Sequence, residues 1–393
     1  MTGHTYDSVV VGGGPAGATV ATELARSGRS VLLLDRGGRI KPCGGAIPPR
    51  LIRDFAIPDD VIVGRAVAAR MVAPSQRAVD MPVGGFVGMV DREVFDEWLR
   101  NRAAEAGAER RTGNFERLDR DPDGCAVVVY VDERGGIEQR IRARAVVGAD
   151  GARSGVARAA LKGAEQTPFV FAYHEVIRTP KTDDAGFDRS RADVYYQAEL
   201  SPDFYAWVFP HGDTASVGVG SASKGFGLRE SVARLRFRTG LAGCETIRSE
   251  GAPIPLRPLR KWDNGRDVVV TGDAAGVVAP ASGEGIYYAM TAARYTASAV
   301  EDFLVSGNPK ALAGARKRFM RANGTTFWIL SVMQHFWYHN DRRRERFVTM
   351  CADRDVQLLT WQAYMNKRLV MAHPLAYFRI FLKDMYHLLQ SRG

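Results

Sequence analysis

Residues 9–17 read Val-Val-Val-Gly-Gly-Gly-Pro-Ala-Gly, and this stretch decides the fold of the chain. An alanine-rich segment follows, and then a second apolar run, residues 30–35, which ends in Asp35. A strand, a G-x-G-x-x-G turn, a helix and a strand that ends in an acid are typical of a βαβ unit that binds a dinucleotide. The glycines let the backbone approach a pyrophosphate at the helix N-terminus, and the acid accepts hydrogen bonds from the adenosine ribose.

A second segment, residues 146–154, reads Val-Val-Gly-Ala-Asp-Gly-Ala-Arg-Ser and places Asp150 and Gly151 after an apolar strand. In one interpretation these residues hold the ribose or phosphate of a cofactor, with Arg153 or Arg158 supplying positive charge. In the other they form an ordinary turn that caps the next helix, which Asp-Gly favours for local reasons. Both interpretations are open at this point.

A third segment, residues 267–276, is a strand of the buried type that carries Asp273 to a glycine-rich helix start. An acid at this place can bind the hydroxyl groups of a ribityl chain. Two glycines flank Glu284 in the following residues 282–286, which suits a backbone that approaches a cofactor closely. The dipole of that helix would stabilise negative charge on a reduced isoalloxazine ring, whereas the plainer interpretation is a helix N-cap and a loop.

The bulk composition limits the class of protein. Of the 393 residues, 25% are charged and 46% are hydrophobic, so the chain is globular and large enough for two or three regions. The net charge of +10 suits an anionic partner such as phosphate or acidic lipid, or it is only a soluble basic surface. The sequence contains no nucleic-acid-binding module, which argues against nucleic acid as a partner.

The cysteines and the chain start indicate a reducing compartment. The four cysteines lack C-x-x-C spacing and the four histidines of residues 325–393 lack metal-ligand spacing, so we predict neither a metal site nor disulfides. The first strand begins almost at the N-terminus, which leaves no room for a signal peptide. No apolar run approaches the roughly 20 residues that span a bilayer. We therefore expect a cytoplasmic protein, for which any association with a membrane would be peripheral.

Residue spacing also predicts the elements around these motifs. They are a helix over residues 15–27, a helix opening at Asp91, strands at 127–131 and 139–147 joined by a hairpin at 133–136, and a β-rich stretch over 169–220.

The segment from residue 325 onward differs in composition, because twelve of its 69 residues are Phe, Trp or Tyr, against 9% for the whole chain. Its spacing is helical, and a basic cluster at residues 342–344 (Arg-Arg-Arg) follows the aromatic residues 336–338 (Phe-Trp-Tyr). In one interpretation these helices simply pack on the main body. In the other they form a surface that docks on a membrane or admits a long lipid, with the arginines snorkelling toward an acidic interface.

Taken in order, the motifs resemble the FAD-binding pattern of the flavoprotein family that includes p-hydroxybenzoate hydroxylase and the geranylgeranyl reductases. The resemblance covers about the first 325 residues. It implies that Asp35 binds the adenosine ribose, that Arg92 contacts FAD and that Asp273 binds the ribityl chain. The residues expected to bind the cofactor are Gly12, Gly14, Pro15, Ala16, Gly17, Asp35, Arg36, Cys43, Gly44, Gly45, Ala46, Arg92, Asp150, Gly151, Gly272, Asp273, Gly283, Gly285 and Ile286.

Two further segments narrow the resemblance. Residues 41–48 read Lys-Pro-Cys-Gly-Gly-Ala-Ile-Pro, similar to the cysteine-glycine-glycine segment of geranylgeranyl reductases. Residues 205–210, with Gly-Val-Gly at 218–220, match the Y-x-W-x-F-P and G-x-G pattern of that family. The similarity continues through residues 346–353 and 367–368, and it is closest to the geranylgeranyl reductases of chlorophyll and bacteriochlorophyll biosynthesis.

This resemblance implies an FAD-dependent reductase that saturates three double bonds of a geranylgeranyl chain to give phytyl. The substrate would be geranylgeranyl-(bacterio)chlorophyll or free geranylgeranyl diphosphate, and the electrons would come from NADPH or a ferredoxin. Only one G-x-G-x-x-G is present, so no separate NAD(P)H domain can be assigned. The other partners implied are the photosynthetic membrane and enzymes of pigment synthesis.

The fold implied is α/β, with a Rossmann-like FAD-binding domain, a β-sheet substrate domain and a helical C-terminal region. We expect the FAD-binding domain in residues 1–75, 91–165 and 262–324, the substrate domain in 76–90 and 166–261, and the C-terminal region in 325–393.

Cys43, Tyr205 and Trp207 are the candidate catalytic residues. Reduced FAD would deliver a hydride to one alkene carbon while an acid protonates the other. Protonation develops tertiary cation character, which the face of Trp207 could stabilise; Cys43, Tyr205 and an ordered water are all open as the proton donor. The plainer alternatives are an inert thiol for Cys43 and a core-packing strand face for Tyr205, Trp207 and Phe209.

Two other functions share the implied fold. A flavin monooxygenase would use oxygen on an aromatic or terpenoid substrate, and residues 41–48 and 205–210 argue against it. A non-catalytic prenyl-binding escort, like the Rab escort proteins, is the binding-module alternative. The intact set of Gly12, Asp35, Asp150 and Asp273 argues against the escort.

Overall fold

The computed structural model describes residues 4–38, 40–133, 135–180 and 186–367. The chain divides into two compact units. Unit 1 comprises Met1–Cys43, Asp91–Ala172 and Gly251–Gln334, and unit 2 comprises Gly44–Val90, Tyr173–Glu250 and His335–Gly393. Arg134 of the predicted hairpin, Arg368 of the family-like tail and residues 369–393 of the predicted C-terminal region lie outside the described residues.

The strands, in chain order, are β1 (Thr5–Val11), β2 (Val31–Asp35), β3 (Ala46–Ile47), β4 (Gly64–Val72), β5 (Ala78–Met89), β6 (Glu109–Arg120), β7 (Ala126–Asp132), β8 (Glu138–Gly148), β9 (Phe169–Arg178), β10 (Arg191–Tyr195), β11 (Ala206–His211), β12 (Thr214–Ser221), β13 (Thr246–Pro255) and β14 (Val268–Val270). The helices are α1 (Pro15–Arg26), α2 (Pro49–Asp54), α3 (Arg92–Glu105), α4 (Gly155–Ala160), α5 (Leu228–Arg238), α6 (Ile286–Ser306), α7 (Gly314–Trp337), α8 (Asp341–Met350) and α9 (Arg354–Asn366). Among the described residues, every helix is too short or too polar to cross a bilayer.

Unit 1 is built on a six-stranded sheet in which β2, β1, β8 and β14 run parallel to one another, whereas β7 pairs antiparallel with β6 and β8. β1, β2 and β14 are buried over nearly their whole length, as expected of parallel strands that are covered on both faces. Helices α1 and α6 pack against each other, and α3 packs on α1. This arrangement is the Rossmann-like α/β fold that the glycine motif predicts.

Unit 2 is built on an eight-stranded sheet in the order β13-β9-β12-β11-β10-β4-β5-β3. Side chains alternate along β11, so that Ala206 and Val208 pack into one core with Val217 and Val219 of β12. Helix α5 covers β12 on this side. The other face of β11 carries Trp207 and Phe209, and Phe209 packs beside Met89 of β5.

Two of the expected domain boundaries differ from those of the observed elements. Residues 44–75, expected in the FAD-binding domain, contain β3 and β4, which belong to the eight-stranded sheet. Residue 325, the expected start of a separate C-terminal region, lies inside α7. Buried residues at 315, 319, 323 and 327 recur every four positions, so one packed face of this helix continues through residue 325.

Candidate functional site

The three motifs of unit 1 meet at one edge of its sheet, where the parallel strands end. The backbone N–H of Gly12 donates to the carbonyl of Leu34 (2.7 Å), and that of Ala149 donates to the carbonyl of Val11 (2.7 Å). The N–H of Thr271 donates in turn to the carbonyl of Gly148 (2.9 Å). Ligands of open α/β sheets bind outside the carboxyl ends of the strands, so this edge is the candidate cofactor site.

The turn after β1 has no room for side chains. Gly12 has a φ of +104°, and a Cβ atom there would lie 2.4 Å from the carbonyl oxygen of Ala149. A Cβ atom on Gly17 would lie 1.8 Å from the carbonyl oxygen of Gly12. Gly13, which the sequence did not single out, is equally restricted, because its Cβ atom would lie 2.8 Å from the Asp35 carboxylate.

The two helices that begin at this edge have no side-chain cap. Helix α1 begins at Pro15 after Gly14, and α6 begins at Ile286 after Gly285; neither cap residue forms a side-chain hydrogen bond to the helix. By contrast, Asp91 caps α3. Two helix N-termini without a side-chain cap, at the open end of a glycine turn, suit an anionic group such as a pyrophosphate.

Asp35 at the end of β2 is held by positive charge and by backbone groups. Its Oδ2 atom lies 3.1 Å from Nη1 of Arg100, and it accepts hydrogen bonds from the N–H groups of Gly13 and Arg36. Burial raises the pKa of Asp35 despite these contacts. Arg36 itself is exposed.

Asp273 forms an ion pair that the sequence did not predict. The Lys41 ammonium group binds the Asp273 carboxylate, which is about 10% exposed. Gly285 lies beside this carboxylate, since a Cβ atom there would be 3.7 Å from Oδ1 of Asp273. The partners are 232 residues apart, and the only signal in the sequence was the position of Lys41 at the head of the Lys-Pro-Cys segment.

Asp150 uses its side chain locally. Its Oδ1 atom accepts from the Ser154 hydroxyl (2.5 Å), and Oδ2 accepts from the N–H groups of Gly155 (2.6 Å) and Val156 (3.2 Å). Burial raises the pKa of Asp150. These contacts favour the interpretation of Asp150 as a turn residue that caps α4. The backbone of Asp150 still faces the glycine turn, because its nitrogen would be 2.8 Å from a Cβ atom on Gly12.

Arg92 forms a buried pair with Asp96 one turn along α3. Its Nε and Nη2 atoms donate to the two carboxylate oxygens at 2.8 and 2.6 Å. Although burial opposes its charge, the Asp96 carboxylate holds the pKa of Arg92 above its ordinary value. Arg92 also hydrogen-bonds the Cys43 thiol, and it lies near Gly14, whose Cβ atom would be 4.0 Å from Nη2. The structure therefore brings Cys43 and Arg92 together beside the glycine turn.

Within unit 2, the glycines that follow Cys43 lie against the aromatic residues of β11. A Cβ atom on Gly44 would lie 3.0 Å from the Phe209 ring and 3.7 Å from Nε1 of Trp207. Gly45 has a φ of +70° and would place a Cβ atom 2.4 Å from the carbonyl oxygen of Val90. The next residue, Ala46, begins β3. The cysteine-glycine-glycine segment thus needs its glycines to press the backbone against this row.

The aromatic row itself consists of Tyr205, Trp207 and Phe209, with neighbouring ring centroids 6.0 and 6.2 Å apart. Tyr205 stacks on Phe204 at 4.2 Å, and Tyr196 adds a further ring 6.1 Å from Tyr205. Tyr205 and Trp207 are both buried. This apolar wall is equally suited to a core and to a hydrocarbon ligand.

Three residues that were not predicted from the sequence, Ser216, His174 and Glu250, are hydrogen-bonded in series to Trp207. The indole Nε1 atom lies 3.1 Å from Oγ of Ser216, which lies 2.9 Å from Nδ1 of His174. The Nε2 atom of His174 lies 3.2 Å from Oε2 of Glu250. No sequence motif connects these positions, because they come from three different strands.

The basic cluster after α7 is not uniformly exposed. Arg344 is fully buried and donates to the carbonyl groups of Ser201 (2.7 Å), Pro202 (2.5 Å) and Tyr338 (2.7 Å). Burial lowers the pKa of Arg344. The expectation that this arginine snorkels toward an interface is therefore wrong, because its guanidinium group fastens backbone segments inside unit 2.

Comparison with known proteins assigns the chain to a family. The family model described as pyridine nucleotide-disulphide oxidoreductase matches residues 6–186. Geranylgeranyl diphosphate reductase of Rhodobacter capsulatus is 56% identical over 384 residues, which cover 98% of this chain and 97% of the relative. The chain belongs to the geranylgeranyl reductase family. A geranylgeranyl diphosphate reductase of Synechocystis is 36% identical to this family member over 98% of each chain.

The fold of this geranylgeranyl reductase family member agrees with a solved structure. A geranylgeranyl bacteriochlorophyll reductase-like protein from Thermoplasma acidophilum superposes with a TM-score of 0.82 and 21% identity, over 95% of this chain and 99% of that one. The predicted α/β flavoprotein fold is confirmed. Its cofactor, FAD, fits the uncapped helix starts and the glycine turn of unit 1. The monooxygenase alternative is not favoured, because the close relatives are reductases.

Proposed function

We propose that this flavoprotein saturates isolated double bonds of a geranylgeranyl chain, adding three hydrogen pairs to give phytyl. The observation that supports the proposal most is the 56% identity, over almost the full length of both chains, to a protein named geranylgeranyl diphosphate reductase. The substrate is the free diphosphate or the ester of a (bacterio)chlorophyll, and the electrons come from NADPH or a ferredoxin.

The proposed cofactor residues follow from the edge of unit 1. The N-termini of α1 and α6 would hold the anionic parts of FAD, Asp35 the adenosine ribose, and Asp273 the ribityl hydroxyls after exchange with Lys41. When bound and reduced, FAD supplies the electron pair and one hydrogen of each addition. Arg92, already paired with Asp96, would fix the glycine turn and the neighbouring thiol rather than act as a mobile charge.

The second hydrogen of each addition is a proton, and Cys43 is our first candidate for its donor. Because a guanidinium group only donates hydrogen bonds, the Cys43 sulfur accepts from Arg92, which holds this side chain in place. Tyr205 is the second candidate. The face of Trp207 would stabilise the developing tertiary cation, a contact worth about 0.5–2 kcal/mol.

Mass spectrometry of the prenyl substrates after anaerobic incubation with the reduced holoenzyme tests the proposal. Gains of hydrogen pairs that stop after three support it, and comparison of NADPH with reduced ferredoxin identifies the donor. Trp207→Leu, which removes the aromatic face, should lower kcat about 2- to 30-fold, whereas Trp98→Leu, on α3, is the matched control. Unchanged substrate masses, with an oxygenated product in air, would overturn the proposal.

We further propose that the enzyme reaches its lipid substrate by peripheral contact with an anionic membrane. Lys317, Arg321, Trp328 and Val332 of α7 are all exposed, and their spacing places them on one helix face. Trp328 is 67% exposed, which is unusual for so large an apolar side chain. Basic residues beside apolar ones suit the interface of an acidic bilayer.

Sedimentation with phosphatidylglycerol vesicles tests this contact. Combined Trp328→Ser and Val332→Ser substitutions should reduce binding at least tenfold, and phosphatidylcholine vesicles should bind weakly. Phe237→Ser removes a ring that is 78% exposed on α5 and is the matched control. Equal binding by the double variant and the parent would refute this surface.

A further inference from the structure

The buried hydrogen-bonded series behind Trp207 is more elaborate than core packing requires. Ser216 is 1% exposed, His174 4% and Trp207 5%, so all three polar groups are removed from water. Burying polar groups is costly unless each finds a partner, and here each does. Glu250, the last residue of the series, also has an ion-pair partner, because Nε of Arg248 lies 3.1 Å from its Oε1 atom.

The chemistry of the two end groups, Trp207 and Glu250, fixes the direction of the first and the last hydrogen bond. An indole N–H only donates and a carboxylate only accepts. Trp207 therefore donates to the Ser216 oxygen, and Nε2–H of His174 donates to Glu250. The hydrogen bond between Ser216 and Nδ1 of His174 connects these two bonds.

The backbone opposite Trp207 restrains the indole in the same position. Gly218 of β12 pairs with Trp207 across the sheet, and a Cβ atom on Gly218 would lie 2.1 Å from Cζ2 of the indole. The same atom would lie 2.7 Å from Cβ of His174. The indole therefore packs directly against the Gly218 backbone of β12, with the Ser216 hydroxyl at its nitrogen.

We propose that Ser216, His174 and Glu250 are positioning residues that fix the indole of Trp207 for the reduction step. The consequence for turnover rests on the proposed function. The aromatic row of Tyr205, Trp207 and Phe209 keeps its apolar area if the indole rotates. Binding of the prenyl chain in the ground state should therefore change little. Contact between the ring face and a developing cation exists only in the transition state, so kcat falls while KM is kept.

The test combines a spectroscopic readout with kinetics on the FAD-loaded, ¹⁵N-tryptophan-labelled enzyme. Trp207→Phe assigns the indole ¹H–¹⁵N resonance. Ser216→Ala should shift that resonance to the position of an indole without a hydrogen bond, and should lower kcat about 2- to 30-fold with KM within twofold. His174→Leu keeps the hydrogen bond between Trp207 and Ser216 but removes the one between Ser216 and His174. It should give a smaller shift in the same direction, and it replaces Ser216→Ala in the test if that variant does not fold.

Ser231→Ala is the matched control, because Ser231 is 2% exposed and donates to the carbonyl of Leu200 at 2.6 Å in the same unit. It should change neither the resonance nor kcat. An unchanged indole resonance in Ser216→Ala, or a shifted resonance with unchanged kcat, would overturn the proposal. If the parent enzyme saturates no prenyl substrate while the resonance still responds, the proposed function fails and the hydrogen-bonded series remains.

Discussion

Gly218→Ala is the substitution whose effect the structure specifies most closely. The added Cβ atom would lie 2.1 Å from Cζ2 and 2.5 Å from Cε2 of Trp207. Carbon atoms pack at about 3.5–4.0 Å, so the ring must move by about 1.5 Å. The ring cannot move that far without losing packing contacts and its hydrogen bond, because it is buried and its nitrogen is bound to Ser216.

Overpacking of this kind costs about 1–3 kcal/mol, and leaving the buried indole N–H or the Ser216 hydroxyl without its partner adds about 1–3 kcal/mol. We therefore expect Gly218→Ala to lower the free energy of unfolding in urea by about 2–6 kcal/mol and to reduce turnover with it. Gly243→Ala is the control, because a Cβ atom at Gly243 meets nothing within 4 Å, and it should stay within about 0.5 kcal/mol of the parent. A loss below about 1 kcal/mol for Gly218→Ala, with an unshifted Trp207 resonance, would refute the reasoning.

Three further predictions concern other parts of the chain. Gly12→Ala should yield protein that binds FAD at least tenfold more weakly, measured by flavin absorbance after gel filtration, because its Cβ atom would lie 2.4 Å from the carbonyl oxygen of Ala149; stoichiometric flavin would contradict the assigned turn. Asp96→Ala leaves the charge of Arg92 buried and without its carboxylate, so the free energy of unfolding should fall by about 3–5 kcal/mol in a urea titration. A loss below about 1 kcal/mol would contradict this and show that water reaches Arg92. Burial raises the pKa of the Cys351 thiol to about 12, so at pH 8 only about one thiol in ten thousand is ionised. Of the four cysteines, Cys351 should therefore be the last to be alkylated by iodoacetamide, as followed by mass spectrometry. Labelling as fast as in urea would contradict this and show that the site opens.

The glycine turn could be predicted from the sequence because every interaction that defines it is local or one strand away. The strand, turn and helix over residues 5–26 need only the glycine spacing and the apolar runs. The turn after β8 is local as well, but two interpretations of Asp150 fitted its sequence equally. Only the bonds to Ser154, Gly155 and Val156 show that its side chain is used within the turn.

The residues behind Trp207 could not be predicted, because their proximity depends on the register between strands that are distant in sequence. The G-x-G pattern at residues 218–220 was visible, yet its physical cause for Gly218 is the pairing of this glycine with Trp207 across the sheet. Likewise, no spacing rule connects Lys41 with Asp273. The compositional change at residue 325 is real, but composition does not end a helix whose packed face continues.

The division of the sequence between the two units has a consequence for how the protein is made. The chain passes from one unit to the other at residues 43, 90, 172, 250 and 334. The sheet of unit 1 is complete only when β14, at residues 268–270, has been synthesised and can pair with β8. Asp273 leaves the ribosome later still, and so does α6. Flavin can therefore load only after the start of α6 has been synthesised, and until β14 pairs with it the edge of β8 stays open to aggregation and to chaperones.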